Sequence, residues 1–197
     1  MRIVIVTIAV VFVIGTFNGP GLYADLVWDG GYHEFSEGYE WEVWLLNDAT
    51  GDITGGEIGI LACWDTSEVF VYEPSEIGLL RPADSSITNV YGGTINHLFA
   101  LNSSETRIYG GNINGIDPDD SSIIYLYTDN YAFDPTGGIR DGGLLAGEWF
   151  GTGEAFSISL DDVGDINHIT FVPEPSTMGL FVIGSLMFRA IKRKARR

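Results

Sequence analysis

The residues of this 197-residue chain that could bind a metal ion are mostly carboxylates. The densest group lies in the segment IDPDDSS, which contains Asp117, Asp119 and Asp120. Calcium takes about six to eight oxygen ligands, and three carboxylates on one short segment more often form a solvated turn. We therefore predict a turn at this segment, and we assign no metal-binding residue anywhere in the chain.

Histidine and cysteine, which serve as metal ligands and nucleophiles, are few and scattered. The histidines His33, His97 and His168 have no spacing typical of a zinc site. In the internal repeat described below, His97 corresponds to Gly115, which predicts an exposed position that tolerates substitution. Cys63 is the only cysteine and lies in the hydrophobic segment GILACWD, so we predict a small buried residue without thiol chemistry.

Motifs of known catalytic sites are also missing from the sequence. It contains no G-x-S-x-G elbow, no phosphate-binding P-loop and no dinucleotide fingerprint. Paired carboxylates could act as the acid and base of a polysaccharide-cleaving enzyme. With 27 acidic residues, however, some pair lies close together in any fold, so proximity alone indicates nothing. We expect no catalytic residue, no cofactor and no enzymatic activity.

The acidic residues are segregated from the basic ones. All 27 lie between Asp25 and Glu174, where the basic residues are three arginines, so this stretch has a formal charge of −24. Nucleic-acid binding needs Lys and Arg to replace the counterions of the phosphates, so the charge excludes DNA and RNA as partners. The acidity favours a protein that works outside the cell and stays soluble through mutual repulsion.

The elements that position these residues follow an internal repeat of about 18 residues. The phrases NVYGGTINHL and RIYGGNINGI are nearly the same, and DITGGEIGIL is an earlier, diverged copy. Each copy combines a β-favouring run, usually a Gly-Gly pair, and a turn of Asp or Asn followed by Ser or Thr. Equivalent residues recur at steps of 18 or 19 in four columns: Tyr72, Tyr91, Tyr109 and Tyr127; Ile58, Ile77, Ile95 and Ile113; Leu61, Leu80, Leu98 and Ile116; Ser67, Ser86, Ser104 and Ser122.

This pattern predicts an all-β fold, a short parallel β-solenoid with about 18 residues per coil and a C-terminal β-hairpin cap. We expect the Ile and Leu columns in the core, and the Tyr and Ser columns along turns or outer faces. The solenoid domain is placed at residues 25–172, with its repeats at about 40–127. The aromatic segment 26–46 is expected to cap the first coil. The hairpin is expected at about 144–172, with EAFSISL and INHITFV as its strands.

Aromatic residues leave a second function open. Trp28, Trp41, Trp44 and the tyrosine column could stack on sugar rings, or they could pack in the cap and against one another. Parallel β-helices also host enzymes that cleave polysaccharides. The alternative function is therefore a polysaccharide-binding or polysaccharide-cleaving β-helix protein.

Both ends of the chain carry targeting features. Residues 1–24 combine Arg2, an apolar run and the small residue Ala24, which is the layout of a secretory signal peptide. At the other end, residues 176–188 are uncharged and are followed by a basic cluster. This segment is shorter than the about 20 residues that span a bilayer, and the basic cluster would stay on the cytoplasmic side.

The segment VPEPSTMGLFVIGSLMFRAIKRKARR resembles the PEP-CTERM sorting signal of Gram-negative bacteria, which we assign to residues 173–197. Its motif would be carried by Pro173, Glu174 and Pro175. Prolines on both sides of Glu174 disfavour helix and sheet and so keep this segment extended and accessible. The resemblance implies an exported protein that is held in the membrane by its C-terminal helix until an exosortase, a membrane protease, cuts near the motif.

The repeat phrase SSITNVYGGTIN also resembles repeats in exported proteins of planctomycete-type bacteria that carry the same tail, and it implies no known activity. Taken together, the sequence predicts a non-catalytic exported protein of the cell surface or extracellular matrix. Its expected partners are an exosortase and, secondly, exopolysaccharide.

Overall fold

The computed structural model describes residues 26–173, without the side chain of Asp129. The predicted signal peptide and the predicted hydrophobic helix at 176–188 lie outside the described residues. Within residues 26–173, no helix is both long and apolar enough to cross a membrane.

The chain winds into coils, and each coil contributes one strand to each of two parallel-paired sheets. In chain order the strands are β1 Leu26–Asp29, β2 Tyr32–Phe35, β3 Tyr39–Leu46, β4 Thr50–Ile53, β5 Glu57–Cys63, β6 Glu68–Val71, β7 Glu76–Pro82, β8 Ile87–Val90, β9 Thr94–Ala100, β10 Glu105–Ile108, β11 Asn112–Ile113, β12 Gly115–Pro118, β13 Ile123–Asp134, β14 Leu144–Trp149, β15 Ala155–Leu160 and β16 Ile169–Val172. A short 3₁₀ helix, Val163–His168, precedes β16. The result is a β-solenoid of about six turns with ~18 residues per turn, as predicted.

The strand registers confirm the two predicted core columns. Ile58 pairs with Ile77, which pairs with Ile95, and the leucine column is aligned in the same way. Because hydrogen-bonded strands lie about 4.8 Å apart, equivalent residues stand directly above one another. Every residue of these two columns is at most 2% exposed. They pack against the inward side chains of the second sheet and form one continuous core.

The turn between the sheets depends on one Asp or Asn in each coil. The left-handed conformation, with φ between 55° and 57°, recurs at Asn47, Asp65, Asp84, Asn102 and Asp120. Asn and Asp tolerate this conformation better than most residues that carry a Cβ. Side-chain amides also link neighbouring coils here, since Asn102 Nδ2 donates to Asp84 Oδ1 at 2.9 Å. The predicted Asp/Asn-Ser turn is therefore confirmed.

The serine column lies at the end of these turns, one of the two locations predicted for it, and its side chains face inward. All four serines are at most 1% exposed. The left-handed residue two positions earlier redirects the chain toward the core, and the backbone N–H of Ser86 closes its turn by donating to Ala83 O at 3.1 Å. Small, buried residues occupy this corner, where Ala49 takes the place of serine in the preceding coil.

The tyrosine column lies at the other turn, on the outer surface as predicted. The rings of Tyr72, Tyr91, Tyr109 and Tyr127 stack in sequence, with centroids 5.3, 4.8 and 4.1 Å apart. The planes of neighbouring rings differ by 8° to 20°. This geometry is possible because the coils hold the four residues in one register.

The N-terminal segment expected to be a cap contributes a coil of its own. β1 pairs in parallel with β3, and β2 pairs in parallel with β4. Trp28 and Phe35 fill the core positions of this coil. The solenoid therefore begins before residue 40, and these large aromatic side chains stand where the next coil has Leu45 and Ile53.

The C-terminal end is closed by an antiparallel hairpin of β14 and β15, which confirms the hairpin cap. The pairing expected between EAFSISL and INHITFV is wrong, because β15 and β16 lie in different sheets. β15 pairs in parallel with β12, and β16 pairs in parallel with the first part of β13. The 3₁₀ helix Val163–His168 carries the chain from one sheet to the other, so β15 and β16 complete a last coil.

The buried columns predict a clear difference between two isoleucine substitutions. Ile95→Ala removes side-chain atoms that are fully buried and should lower the free energy of unfolding by about 2–5 kcal/mol. Ile139→Ala is the matched control, because Ile139 is 86% exposed, and it should change stability by at most about 0.5 kcal/mol. Urea unfolding followed by circular dichroism measures both. Equal losses would show that the Ile column is not the core.

Candidate functional site

The residues predicted as the sorting motif lie at the edge of the described chain. Pro173 is exposed and directly follows β16, whereas Glu174 and Pro175 lie outside the described residues. Their function as the motif stays a prediction from the sequence.

The three aspartates of IDPDDSS do not converge on one point. Asp117 belongs to β12, and Asp119 and Asp120 lie in the turn that follows, where both are exposed. Asp119 Oδ1 accepts a hydrogen bond from the backbone N–H of Asp120 at 2.7 Å. This is the predicted solvated turn.

Polar side chains from three adjacent strands of the first sheet meet beside the C-terminal cap. His97 lies on β9, Asp117 on β12, and Asp161 directly after β15. One potential ligand atom from each lies within 4.8 Å of the others. Since β12 runs between β9 and β15, the solenoid brings together residues that are far apart in the sequence. We refer to these three residues as the His97 cluster.

Arg140 completes the surroundings of the cluster from the loop between β13 and β14. Its Nη1 donates to both carboxylate oxygens of Asp161. Gly115 lies one coil beyond His97 in the same column, and a Cβ there would be 3.1 Å from both Arg140 Nε and His97 Nδ1. The absence of a side chain at Gly115 therefore leaves space for the guanidinium and the imidazole.

His97 is half-buried, not exposed as its match to Gly115 had predicted. Its Nδ1 is buried and has no hydrogen-bond partner in the structure. Burial, followed by the charge of Arg140, lowers the pKa of His97 below its ordinary value of 6.5, although Asp161 and Asp117 oppose this. The imidazole is therefore neutral at pH 7, and one nitrogen is available as an acceptor or ligand.

The carboxylates near His97 are held in an unfavourable environment. Burial and then the Asp161 charge raise the pKa of Asp117. Asp165, which is 5% exposed, accepts a hydrogen bond from the backbone N–H of Asp162 at 2.8 Å and helps to cap the 3₁₀ helix. Burial raises the pKa of Asp165, and the charge of Asp117 adds to that rise. Negative charge is thus concentrated where three strands meet.

The two remaining histidines and the cysteine lie in surroundings that indicate structural roles. His33 stacks on Trp28 with ring centroids 5.1 Å apart, and His168 Nδ1 lies 3.1 Å from Ser122 O. Cys63 is fully buried, as predicted, and burial raises its thiol pKa to about 12. None of the three contributes to the His97 cluster.

The sequence alone did not predict that His97, Asp117 and Asp161 meet, although the repeat contains a signal for two of them. His97 occupies the position held by Leu79 in the preceding coil, and Asp117 the position held by Phe99. Two polar residues therefore replace apolar ones in successive coils. A neutral imidazole beside two carboxylates can bind a cation or transfer a proton.

The fold and the tyrosine column stacked on its outer surface define the class of this protein as a repeat-built parallel β-solenoid with an acidic surface. A family model described as the PEP-CTERM protein-sorting motif matches residues 171–197. The chain therefore carries the PEP-CTERM sorting motif, which implies an exported protein that an exosortase recognises and that is transiently anchored in the membrane at its C-terminal end. The comparison with curated proteins and the comparison with solved structures each gave no significant match.

The electrostatics of the cluster predict the effect of removing Arg140. Arg140→Gln removes a positive charge that lowers the pKa of His97 and also frees Asp161, so the pKa of His97 should rise. Proton NMR titration measures it, with the His97 signal assigned by its loss in His97→Leu. Arg107→Gln is the control. Arg107 lies on the second sheet, where its Nε is 2.5 Å from Glu105 Oε1, so this substitution should leave the His97 titration unchanged. An unchanged or lowered pKa in Arg140→Gln would refute this electrostatic account.

Proposed function

We propose that the chain is a non-catalytic protein of the cell surface or extracellular matrix, in which the solenoid serves as a rigid structural module. The sorting motif matched at residues 171–197 is the observation that carries this proposal, because it implies export and sorting by an exosortase.

Several outer side chains of the solenoid stack on, or donate hydrogen bonds to, their counterparts in neighbouring coils. The tyrosine rings stack face to face, and Asn114 Nδ2 donates to Asn96 Oδ1 at 2.9 Å. On the first sheet, Trp44 stacks near Trp64 with centroids 6.2 Å apart. These contacts stiffen the stack and support a structural function.

The three arginines of the acidic body are engaged as well. Arg107 pairs with Glu105, and Arg140 pairs with Asp161. The guanidinium of Arg81 lies between two aromatic rings, 5.2 Å from the ring of Trp64 and 5.9 Å from that of Phe99. Little positive charge remains in residues 26–173 to bind the carboxylates of an acidic polysaccharide. The surplus of negative charge favours a soluble extracellular module that resists self-association.

The alternative is a protein that binds or cleaves polysaccharide on the same scaffold. Sugar rings stack on exposed aromatic faces, but the tyrosine faces cover one another and Trp28 is only 4% exposed. Trp41, which is 46% exposed, is the tryptophan best placed for such a contact. A screen of neutral and acidic glycans separates the two functions. Saturable binding lost in Trp41→Ala, or cleavage lost in Asp117→Asn, would favour the alternative.

Expression in two hosts tests the sorting proposal. In a host with an exosortase, we expect the mature protein to lose its C-terminal segment and to end near residues 173–176. In a host without one, the tail should remain, because only the exosortase reads the motif. Intact-mass spectrometry of the recovered protein measures both ends directly.

The control for this experiment is the double variant Pro173→Ala/Pro175→Ala, which removes both prolines that hold the segment extended. It should keep its tail in both hosts. Identical C-termini in the two hosts for the unchanged protein would contradict processing by the exosortase and would leave only a tethered solenoid.

A further inference from the structure

We propose that His97, Asp117 and Asp161 bind one divalent first-row transition-metal ion that fastens the C-terminal cap to the solenoid. The proposal rests on the convergence of three ligand atoms within 4.8 Å of one another. It is independent of the exosortase and of any glycan.

The ligand set suits a transition metal better than calcium. Imidazole nitrogen is a preferred ligand of zinc and its neighbours, and carboxylate oxygen is a common companion, whereas calcium takes oxygen ligands. His97 Nδ1 is buried from solvent and has no hydrogen-bond partner, so the structure leaves a buried nitrogen unsatisfied beside two carboxylates. Seven other buried side-chain atoms of the described residues also lack a partner, but His97 is the residue among them that forms a cluster with two carboxylates. A metal ion would give its nitrogen a partner.

The charge around the cluster matches a divalent cation. The two carboxylates of the cluster, Asp117 and Asp161, have one guanidinium beside them, that of Arg140. The acidic side chains of Asp119, Asp162 and Asp165 lie nearby, so negative charge is in excess. A bound divalent cation would offset this excess of negative charge.

Arg140 would serve as a positioning residue for the metal ligand Asp161. It contacts both oxygens of Asp161, so one oxygen can move to a metal while the other keeps its hydrogen bond. Carboxylates that bind metals are commonly oriented by such an outer partner. Gly115 contributes the space, since any side chain there would crowd both His97 Nδ1 and Arg140.

The location of the site explains what the metal would do. β9 and β12 belong to the last regular coils, and Asp161 follows the cap strand β15. A metal held by all three would link the cap to the stack across three strands. Open strand edges at the ends of a solenoid promote association between chains, so a fastened cap protects this end.

Zinc binding to the untagged full chain, stripped of metal with a chelator, tests the proposal. We expect one zinc ion per chain by isothermal titration calorimetry, and a rise of the melting temperature when zinc is added. His97→Leu is the main variant, because Leu79 occupies the same position one coil earlier and shows that the stack accepts leucine there. It should weaken binding at least tenfold and abolish the thermal shift.

Two further variants keep the test decisive. Asp117→Asn, which keeps the size of the side chain, should also weaken zinc binding at least tenfold. Asp119→Asn is the matched control in the adjacent exposed turn and should bind zinc like the unchanged chain. Circular dichroism of each metal-free variant verifies the fold. Absence of saturable zinc binding, or binding that His97→Leu and Asp117→Asn leave unchanged, would overturn the proposal.

Discussion

Parallel pairing in a fixed register is the constraint on which the rest of this structure depends. Each coil must return the chain to a point about 4.8 Å above its previous position, so that the backbone hydrogen bonds of both sheets continue. One repeat has 19 residues instead of 18, and it shows how strictly the register is kept. The turn at residues 72–75 is one residue longer than the turns at 54–56 and 91–93, and the strands on both sides stay aligned. The extra residue of this coil is therefore placed in a turn and not in the parallel strands on either side.

The same constraint decides which features the sequence could predict. Copies of Ile, Leu and Tyr at steps of 18 or 19 are visible in the sequence, so the core columns and the tyrosine stack could be predicted from it. The inward direction of Ser86 could not, because it depends on the left-handed conformation of Asp84. The first coil was not recognised as part of the repeat, because Trp28 and Phe35 fill its core and do not match the residues of the repeat. The alternation of apolar and polar residues in β15 predicted a strand, but it did not show which strand would pair with it.

The His97 cluster could not be predicted because its residues are the ones that depart from the repeat. His97 and Asp117 stand where neighbouring coils have Leu79 and Phe99, and Asp161 lies beyond the repeats altogether. Only the return of β15 to the edge of β12 brings Asp161 beside them. The cap therefore does two things at once: it continues both sheets and it places a charged residue against the last coils. The matched sorting segment begins at residue 171, within β16, so the folded body extends up to the motif.

The most direct test of the stacked coils is a distance measured between spin labels on one column of exposed turn residues. The column is Asp48, Thr66, Ser85, Ser103 and Ser121. Cysteines introduced at 48 and 121 can be labelled selectively, because Cys63 is buried. Four coils separate positions 48 and 121, so their backbones should lie about 19 Å apart. Three coils separate positions 48 and 103, which should lie about 14 Å apart, and double electron-electron resonance measures both label pairs. Separations that are much longer would contradict the solenoid. So would a separation for the pair at 48 and 103 that is not shorter, by about one strand spacing, than that for the pair at 48 and 121.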